Sequence, residues 1–473
     1  MSPAAGRSRR PLLAVAAILF LAGAAAVLLR RPDPARPDIV LIVWDTCRGD
    51  RVSVNGYARP TTPRLEAFAK TGTVFRRCFT PSPWTPPAHA SLFTGLLPRR
   101  HGLREGIGDR VNPGLPLLAE TLRDAGYETV CAVANPQISG VTGLDAGFGT
   151  SLECWGEPEA KGDGARVVDR LEEWLGARRA GGSRRPLLLF VNLMEAHLPY
   201  SFDAASVAAV RGDAAVNGAR RAAALVTDAR ANDHLYGVAP LDAATLADLD
   251  AAYDGAVRME DRITGEILDL LGSAGLLGNA VVAVCADHGE NLGEHGDVSH
   301  LMSVHEPVLH VPLILRWPGR FEGGRVVDEQ VRLQDLYPTL LAAARVEAPG
   351  HCGRDAVSLL ESPLRSRTLI AEYGPALDQL GPVSRVIPNA PKSALERLRE
   401  ALVAVREPQE TPGARKHIAV TRHGDGGEAA LVREESYDLA ADPGEARNLL
   451  GPGAPAAERA AADRLRAVGE AGR

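Results

Sequence analysis

Asp38-Ile39-Val40-Leu41-Ile42-Val43-Trp44-Asp45 is an unbroken apolar run that ends at an acidic residue. Such a run is typical of a strand that is covered on both faces, as in a parallel sheet. A second run, Ala280 to Ala286, ends in the same way at Asp287 and His288. Because ligands bind at the carboxyl ends of parallel strands, the two runs predict a cation site built from both strand ends.

Helical stretches alternate with these strands, at Leu115 to Ala125 and Ala165 to Arg179, and Leu246 to Gly272 predicts one long helix. The alternation predicts an α/β fold of three layers with a central, mostly parallel sheet. Strand-like segments at Ile418 to Thr421 and Ala430 to Arg433 predict a small antiparallel subdomain near the C-terminus.

Trp84-Thr85-Pro86-Pro87-Ala88-His89 carries a hydroxyl group directly before two prolines. Proline is favoured in the first turn of a helix, because its missing N–H would be unpaired there anyway. The sequence therefore predicts a helix over Ala88 to Phe93, with Thr85 facing its unpaired N–H groups and positive dipole end. Taken alone, Thr85 is explained as an N-cap, since threonine is a preferred capping residue. The two acidic strand ends favour a chemical role instead.

Three segments together resemble the sulfatase family of the alkaline phosphatase superfamily. They are Asp45-Thr46-Cys47-Arg48-Gly49-Asp50, the segment from Thr85 to the Thr94-Gly95 pair, and Asp287-His288-Gly289-Glu290. Further matching segments extend the resemblance over residues 37 to 450. The resemblance implies the three-layer alkaline-phosphatase-like sandwich. With it we expect an N-terminal membrane anchor or signal segment (1–31), a sulfatase-like catalytic domain (32–375) and a C-terminal subdomain with its tail (376–473).

By the same resemblance, one divalent cation would be bound by four residues: Asp45, Thr85, Asp287 and His288. A mixed set of oxygen and imidazole ligands suits Mn²⁺, Zn²⁺ or Mg²⁺ better than Ca²⁺, which prefers oxygen alone. Calcium stays a further candidate. Arylsulfatases commonly carry a second Asp in place of Thr46 and an Asn in place of His288. Phosphonate monoester hydrolases and lipoteichoic acid synthases share the Asp-His pair, and the latter also use threonine.

The family positions also imply which groups contact the substrate. The catalytic residues would be Thr85, His197 and His300, and the substrate-binding residues His89, His295 and Arg48. His89 stands where the family carries arginine, and it would donate a charge-assisted hydrogen bond to a non-bridging oxygen. His197 would hold a second oxygen, and His300 would serve the leaving oxygen. The G-K-W-H stretch of arylsulfatases is replaced by Val130 to Asn135.

The side chain of Thr85 decides between two reaction classes. Sulfatases convert Cys or Ser at this position to formylglycine, which threonine cannot become. Hydrated formylglycine expels sulfate with its second hydroxyl, whereas phosphothreonine can be attacked at phosphorus by water or an alcohol. We therefore expect a metal-dependent hydrolase or transferase for phosphoester or phosphonoester bonds, with lipids or glycans as candidate substrates. A sulfuric ester hydrolase and an inactive protein that binds anionic glycans are the alternatives.

Composition agrees with a large folded enzyme. The chain has 473 residues, of which 45% are hydrophobic and 24% charged, so it can bury a sizeable core. Its formal net charge of −6 gives no reason to expect nucleic-acid binding. Six cysteines are too few for a disulfide scaffold. Cys47 and Cys285 are expected as packed thiols, while pairing among the other four and the oligomeric state stay open.

The N-terminus predicts a membrane signal. Arg7, Arg9 and Arg10 precede an apolar stretch from Pro11 to Leu29, and Arg30-Arg31 follow it. This stretch is long enough to cross a bilayer, and the arginines on both sides favour an uncleaved anchor over a cleaved signal peptide. We therefore expect a membrane-anchored protein whose catalytic domain lies outside the cytoplasm, in the periplasm or at the cell surface.

Overall fold

The computed structural model describes residues 36–104, 109–155, 164–375, 377, 391–424 and 428–471. The strands of these residues are, in chain order, β1 (Ile39–Trp44), β2 (Thr73–Phe75), β3 (Cys78–Phe79), β4 (Glu128–Val133), β5 (Thr150–Glu153), β6 (Leu187–Leu193), β7 (Val281–Ala286), β8 (Asn291–Leu292), β9 (Val298–Ser299), β10 (His310–Val311), β11 (Leu313–Arg316), β12 (Arg325–Val327), β13 (Val331–Arg332), β14 (Leu369–Tyr373), β15 (Glu400–Arg406), β16 (Lys416–His423) and β17 (Ala429–Tyr437).

The strand β1 lies inside an eight-stranded sheet with the order β12-β2-β11-β7-β1-β6-β4-β5. It pairs in parallel with β6 and β7, in a register that sets Trp44 beside Leu193 and Ala286. All six residues of β1 are buried, as predicted for a strand covered on both faces. Because the three strands end level with one another, the residues that follow them meet at one edge of the sheet, which we call the carboxyl edge.

Two groups of helices cover the sheet. The helices are, in chain order, α1 (Pro63–Ala69), α2 (Thr85–Thr94), α3 (Pro98–His101), α4 (Leu118–Asp124), α5 (Gly164–Ala180), α6 (Ala204–Arg211), α7 (Asp213–Leu225), α8 (Asp228–Leu235), α9 (Ala243–Ser273), α10 (Glu306–Leu309), α11 (Leu336–Ala344), α12 (Lys392–Arg397) and α13 (Ala456–Ala471). The long helix α9 packs with α1, α5, α6 and α7, whereas α2, α3, α4 and α11 form the second group. The predicted three-layer α/β fold is confirmed.

A separate antiparallel sheet, in the order β14-β15-β16-β17, contains both strands predicted near the C-terminus. It begins at Leu369, ahead of the boundary expected at residue 376. The helix α13 packs on β15 and β16. A second buried apolar cluster, which includes Trp84, Leu309 and Ile418, joins this sheet to the main domain. The C-terminal sheet therefore packs directly behind the segment that carries Thr85.

The predicted membrane segment, Pro11 to Leu29, lies outside the described residues. Among the helices that the structure does describe, none is both long and apolar enough to cross a membrane. All six cysteines are free thiols, which answers the question of pairing that the sequence left open. Cys47 and Cys285 are fully buried, as expected for packed thiols.

A buried ionic cluster fastens the C-terminal sheet to the main domain. Lys416 in β16 is fully buried, and its Nζ lies 2.8 Å from Glu445 and 3.1 Å from Glu306, the first residue of α10. Arg406 in β15 lies 3.1 Å from the same Glu306 carboxylate. Burial alone would raise the pKa of the Glu306 carboxyl, but the two nearby cations lower it to about 2. The carboxylate therefore stays ionised inside the protein.

We expect Lys416→Ala to destabilise the protein by about 3 to 5 kcal/mol, because the buried carboxylate of Glu445 loses its cation. Urea unfolding followed by circular dichroism measures the loss. The matched control is Arg262→Ala, which breaks a half-exposed pair with Glu266 and should cost about 1 kcal/mol or less. Equal losses in the two variants would contradict a special role for the buried cluster.

Candidate functional site

Three side chains from two strand ends meet at the carboxyl edge. Asp45 follows β1, and Asp287 with His288 follows β7. All three are fully buried, and one ligand atom of each lies within 4.8 Å of the others. In the described part of the chain, no other set of three such side chains lies close enough together to share a metal ion.

Thr85 joins this cluster from the start of α2. Its hydroxyl oxygen lies 3.3 Å from Asp45 Oδ1 and 3.3 Å from His288 Nε2. The helix begins at Thr85 itself, and Trp84 occupies the capping position. Thr85 is therefore not an N-cap, and its hydroxyl group is directed to the acids. The structure thus brings together all four residues that the sequence predicted as metal ligands.

Asp287 divides its two oxygens between the backbone and the cluster. Oδ1 accepts hydrogen bonds from the backbone N–H groups of His288 (2.7 Å) and Thr46 (3.2 Å). Oδ2 is buried with no hydrogen-bond partner among the described residues, and it lies 3.4 Å from His288 Nε2. Burying a charged oxygen without a partner is costly, so Oδ2 marks a position where a cation fits.

Thr46 holds the turn after β1 in a left-handed conformation, with φ of 62°. This conformation is rare for a β-branched residue and persists only where other contacts enforce it. Besides its N–H bond to Asp287, Thr46 donates its hydroxyl to the Ala196 carbonyl (2.6 Å) and accepts at its own carbonyl from the Tyr253 hydroxyl (2.7 Å). The turn therefore ties the ends of three strands to α9 and fixes the direction of Asp45.

His288 presents the lone pair of Nε2 to the cluster. Its Nδ1 lies 3.0 Å from the Gly289 carbonyl oxygen, which can only accept, so Nδ1 carries the proton. Burial lowers the pKa of His288 well below its usual value, which keeps the imidazole neutral. A neutral imidazole whose second nitrogen is fixed in this way is the form that binds metal ions.

The two carboxylates of the cluster repel each other. Burial, and then the neighbouring Asp45, raise the pKa of Asp287 well above its usual value. A divalent cation between them would offset this repulsion. Two carboxylates, a hydroxyl and a neutral imidazole therefore fit such a cation, and the chemistry of this donor set agrees with Mn²⁺, Zn²⁺ or Mg²⁺.

Two further predicted histidines lie beside the cluster. The ring of His300 lies 4.6 Å from that of His288 and 5.2 Å from that of His197, measured between centroids. Glu290 is fully buried, and its Oε1 lies 3.1 Å from His300 Nδ1. Burial alone would lower the pKa of His300, but the Glu290 carboxylate, through its charge and its hydrogen bond, raises this pKa above its usual value. His300 is therefore favoured in the protonated form, as a proton donor requires.

His89 lies within the helix behind Thr85 and is fully buried. Its Nδ1 lies 2.9 Å from the Thr85 carbonyl oxygen and 3.5 Å from Asp287 Oδ2. Burial lowers the pKa of His89, so the ring is neutral and its proton resides on Nδ1. Nε2 is buried with no hydrogen-bond partner among the described residues. These contacts give His89 a supporting position next to Asp287.

Arg48 and His295, both predicted to bind substrate, are engaged elsewhere. Arg48 is buried, and its guanidinium pairs with Asp50 at 2.8 Å and with Glu294 at 2.7 Å. His295 is exposed and stacks on His305, with ring centroids 3.7 Å apart. Within the described residues, neither side chain forms a hydrogen bond or ion pair with the four residues of the cluster.

The structure adds two groups for which the sequence predicted no role in the site. Asn135 donates from Nδ2 to Asp45 Oδ2 at 2.8 Å, and Tyr253 bonds both the Thr46 carbonyl and the Arg48 N–H. Asn135 follows β4, so the strand-end pattern that identified Asp45 could have identified it too. No local pattern distinguishes Tyr253, which lies in the middle of α9.

The chain is similar to proteins of one known family. The model of the family described as Sulfatase matches residues 37–346. N-acetylgalactosamine-6-sulfatase of Mus musculus is 26% identical over 388 residues, which are 74% of this chain and 71% of the relative. Choline-sulfatase of Rhizobium meliloti (strain 1021) is 24% identical over 475 residues, which cover 88% of this chain and 82% of the relative. The crystal structure of phosphonate monoester hydrolase of Agrobacterium radiobacter has a TM-score of 0.67 at 19% identity, covering 93% and 96%, and shares the fold.

Asp287→Asn should raise the melting temperature of the metal-free protein, because it removes one of two buried like charges and keeps the shape. It should also lose the stabilisation by Mn²⁺ or Zn²⁺, which for an intact site is about 2.7 kcal/mol at 100 times Kd. Thermal unfolding after chelation, with and without added cation, measures both effects. Asp261→Asn, a buried control outside the cluster, should keep the response to the cation. A full response in Asp287→Asn would exclude this cluster as the cation site.

Proposed function

The chain belongs to the sulfatase family, and we propose that this family hydrolase cleaves phosphoester or phosphonoester bonds with Thr85 as the nucleophile. The family resemblance inferred from the sequence is confirmed by the family match over residues 37–346. One observation carries the finer proposal: the Thr85 hydroxyl lies 3.3 Å from both Asp45 Oδ1 and His288 Nε2. A hydroxyl group in this position is the group best placed to attack.

The chemistry of threonine favours phosphorus over sulfur. Thr85 has one side-chain oxygen, so a covalent intermediate on it has no second hydroxyl that could expel the bound group. Release then requires attack by an external nucleophile on the central atom. A phosphoryl group accepts such an in-line attack, and the hindered, weakly electrophilic sulfur of a sulfate ester resists it. A phosphothreonine can therefore turn over where a sulfothreonine would persist.

The proposed cation is held by Asp45, Thr85, Asp287 and His288. When bound, it supplies positive charge that favours ionisation of the threonine hydroxyl and neutralises charge on the phosphoryl oxygens. Asp287 Oδ2 has no hydrogen-bond partner among the described residues, and the lone pair of His288 Nε2 faces the same cluster. Mn²⁺, Zn²⁺ and Mg²⁺ are the favoured metals, and calcium is the further candidate.

The residues then perform two displacements. In the first, Thr85 enters with its hydroxyl ionised, and Oγ1 forms a bond to phosphorus while the bond from phosphorus to the leaving oxygen breaks. His300 gives a proton to that leaving oxygen, and Glu290 keeps His300 in place. In the second, water or an alcohol attacks phosphorus and loses its proton to the now neutral His300, while the bond from phosphorus to Thr85 Oγ1 breaks and Thr85 leaves ionised, as it began. Water gives hydrolysis, whereas an alcohol gives transfer to an acceptor.

His197 is proposed to bind a non-bridging oxygen at the same site. Its ring lies 5.2 Å from that of His300, on the loop that follows β6. The substrate class is an anionic ester carried by a lipid or a glycan. The N-terminal segment from Pro11 to Leu29 supports a location outside the cytoplasm, at a membrane, because arginines flank an apolar stretch of spanning length.

The second candidate function is sulfate ester hydrolysis. It is supported by the relatives, since N-acetylgalactosamine-6-sulfatase and choline-sulfatase both align over most of this chain. Against it stands Thr85, which cannot form formylglycine. An inactive glycan-binding protein is the third alternative, and it predicts no turnover of any ester.

Thr85→Ala should lower kcat for an aryl phosphodiester on the order of 10⁴- to 10⁶-fold, because it removes the nucleophile. Thr85→Ser keeps a hydroxyl and should keep most of the activity. The measurement uses phosphodiester, phosphonate monoester and sulfate ester substrates with one shared aryl leaving group. After acid quenching, mass spectrometry should find a phosphoryl group on the peptide that contains Thr85.

Sulfate ester turnover faster than phosphodiester turnover by the wild-type protein would overturn the phosphoester proposal. Equal activity of Thr85→Ala and the wild-type protein would remove Thr85 as the nucleophile. Absence of turnover in every form, with unchanged ligand binding, would favour the inactive glycan-binding protein.

His300→Ala should slow alkyl esters by about 10²-fold or more, because their leaving oxygen needs a proton. The rate for esters of para-nitrophenol should fall much less, since this leaving group departs without a proton. The ratio of the two rates, compared with that of His423→Ala at the end of β16, isolates the proton transfer from general damage. An equal loss for both leaving groups would contradict a proton-donor role for His300.

A further inference from the structure

Asn135 lies just beyond the end of a fourth strand, β4, at the carboxyl edge. It follows β4, which pairs with β6, and it is 3% exposed. It also ends the segment Val130 to Asn135, which stands where arylsulfatases carry G-K-W-H. An uncharged amide therefore reaches the cluster from a strand on which the arylsulfatase pattern places a lysine.

The orientation of the Asn135 amide follows from its neighbours. Its Oδ1 accepts from the backbone N–H of Gln137 at 2.9 Å, so the NH₂ group must face the other way. There Nδ2 donates to Asp45 Oδ2 at 2.8 Å. Its own backbone N–H donates to Asn192 Oδ1 at 3.0 Å. Three hydrogen bonds thus fix this side chain and its segment.

The hydrogen bond from Asn135 sets the orientation of the Asp45 carboxylate. With Oδ2 bonded to Asn135, Oδ1 is the nearer oxygen to Thr85 Oγ1, at 3.3 Å against 3.5 Å for Oδ2, and it lies 3.8 Å from His288 Nε2. We propose that Asn135 is a positioning residue that leaves Oδ1 as the Asp45 oxygen offered to the cation. The inference rests on the cation site of the proposed function and adds a residue that controls its affinity and coordination.

Asn192 supports the same arrangement from β6. It is fully buried, its Oδ1 holds the Asn135 backbone, and its Nδ2 has no hydrogen-bond partner among the described residues. A buried donor without a partner is unfavourable, and an apolar residue would avoid it. The acceptor at Oδ1 therefore explains why an amide stands in this buried strand. The side chain of Asn192 thus contacts the backbone of Asn135, whose own side chain bonds Asp45.

The test measures cation binding without turnover. Asn135→Leu keeps the approximate shape and removes the donor, and it should weaken Mn²⁺ or Zn²⁺ binding to the chelator-treated full chain by about 10- to 100-fold. Asn135→Ala should also weaken cation binding. Asn55→Leu is the matched control, because Asn55 donates to the Gly49 carbonyl and touches no residue of the cluster by hydrogen bond. It should bind the cation as the wild-type protein does.

Two readouts separate positioning from general damage. Asn192→Leu should weaken binding less than Asn135→Leu, and the double variant should be no weaker than Asn135→Leu alone, since both act through one contact. The visible spectrum of bound Co²⁺ should change in Asn135→Leu and stay unchanged in Asn55→Leu.

An unchanged Kd in a folded Asn135→Leu or Asn135→Ala protein would overturn the inference, as would additive effects of the two asparagines. A wild-type protein that binds no cation would instead remove the proposed function on which the inference rests.

Discussion

The site depends on keeping two carboxylates, Asp45 and Asp287, fully buried next to each other. Like charges in a buried position are unfavourable unless donors and a cation offset them. The backbone N–H groups of Thr46 and His288 donate hydrogen bonds to Asp287, and the side-chain amide of Asn135 donates one to Asp45. The remaining oxygens face Thr85 and His288. The fold around the carboxyl edge can be understood as the scaffold that keeps this pair in place.

Histidines, more than arginines, contact this pair in the described structure. Arg48 is the arginine of the family segment after β1, yet its guanidinium is neutralised by Asp50 and Glu294. His288 and His89 are neutral, because burial lowers the pKa of each. His300 is favoured in its charged form by Glu290. Positive charge for an anionic substrate is thus concentrated at His300 and at the proposed cation.

The fold and the centre of the site could be predicted because both rest on local patterns. Apolar runs that end in acids predicted β1 and β7. Prolines after a hydroxyl predicted α2, although the helix begins at Thr85, three residues before the predicted Ala88. The contacts that could not be predicted depend on side-chain direction across distant segments. Arg48 forms an ion pair with Glu294, and His89 donates a hydrogen bond from Nδ1 to the Thr85 carbonyl oxygen. The strand-end rule does apply to Asn135, but a neutral amide is a weaker signal than an acid.

The central sheet has two ends with different surroundings. Arg36, the first described residue, lies with Arg178 and Arg185 around a cleft at the amino ends of the parallel strands. Asp45 lies at the opposite ends, one strand length away, which for six residues is about 20 Å. An anion drawn to these arginines is therefore too far from Thr85 to take part in its chemistry.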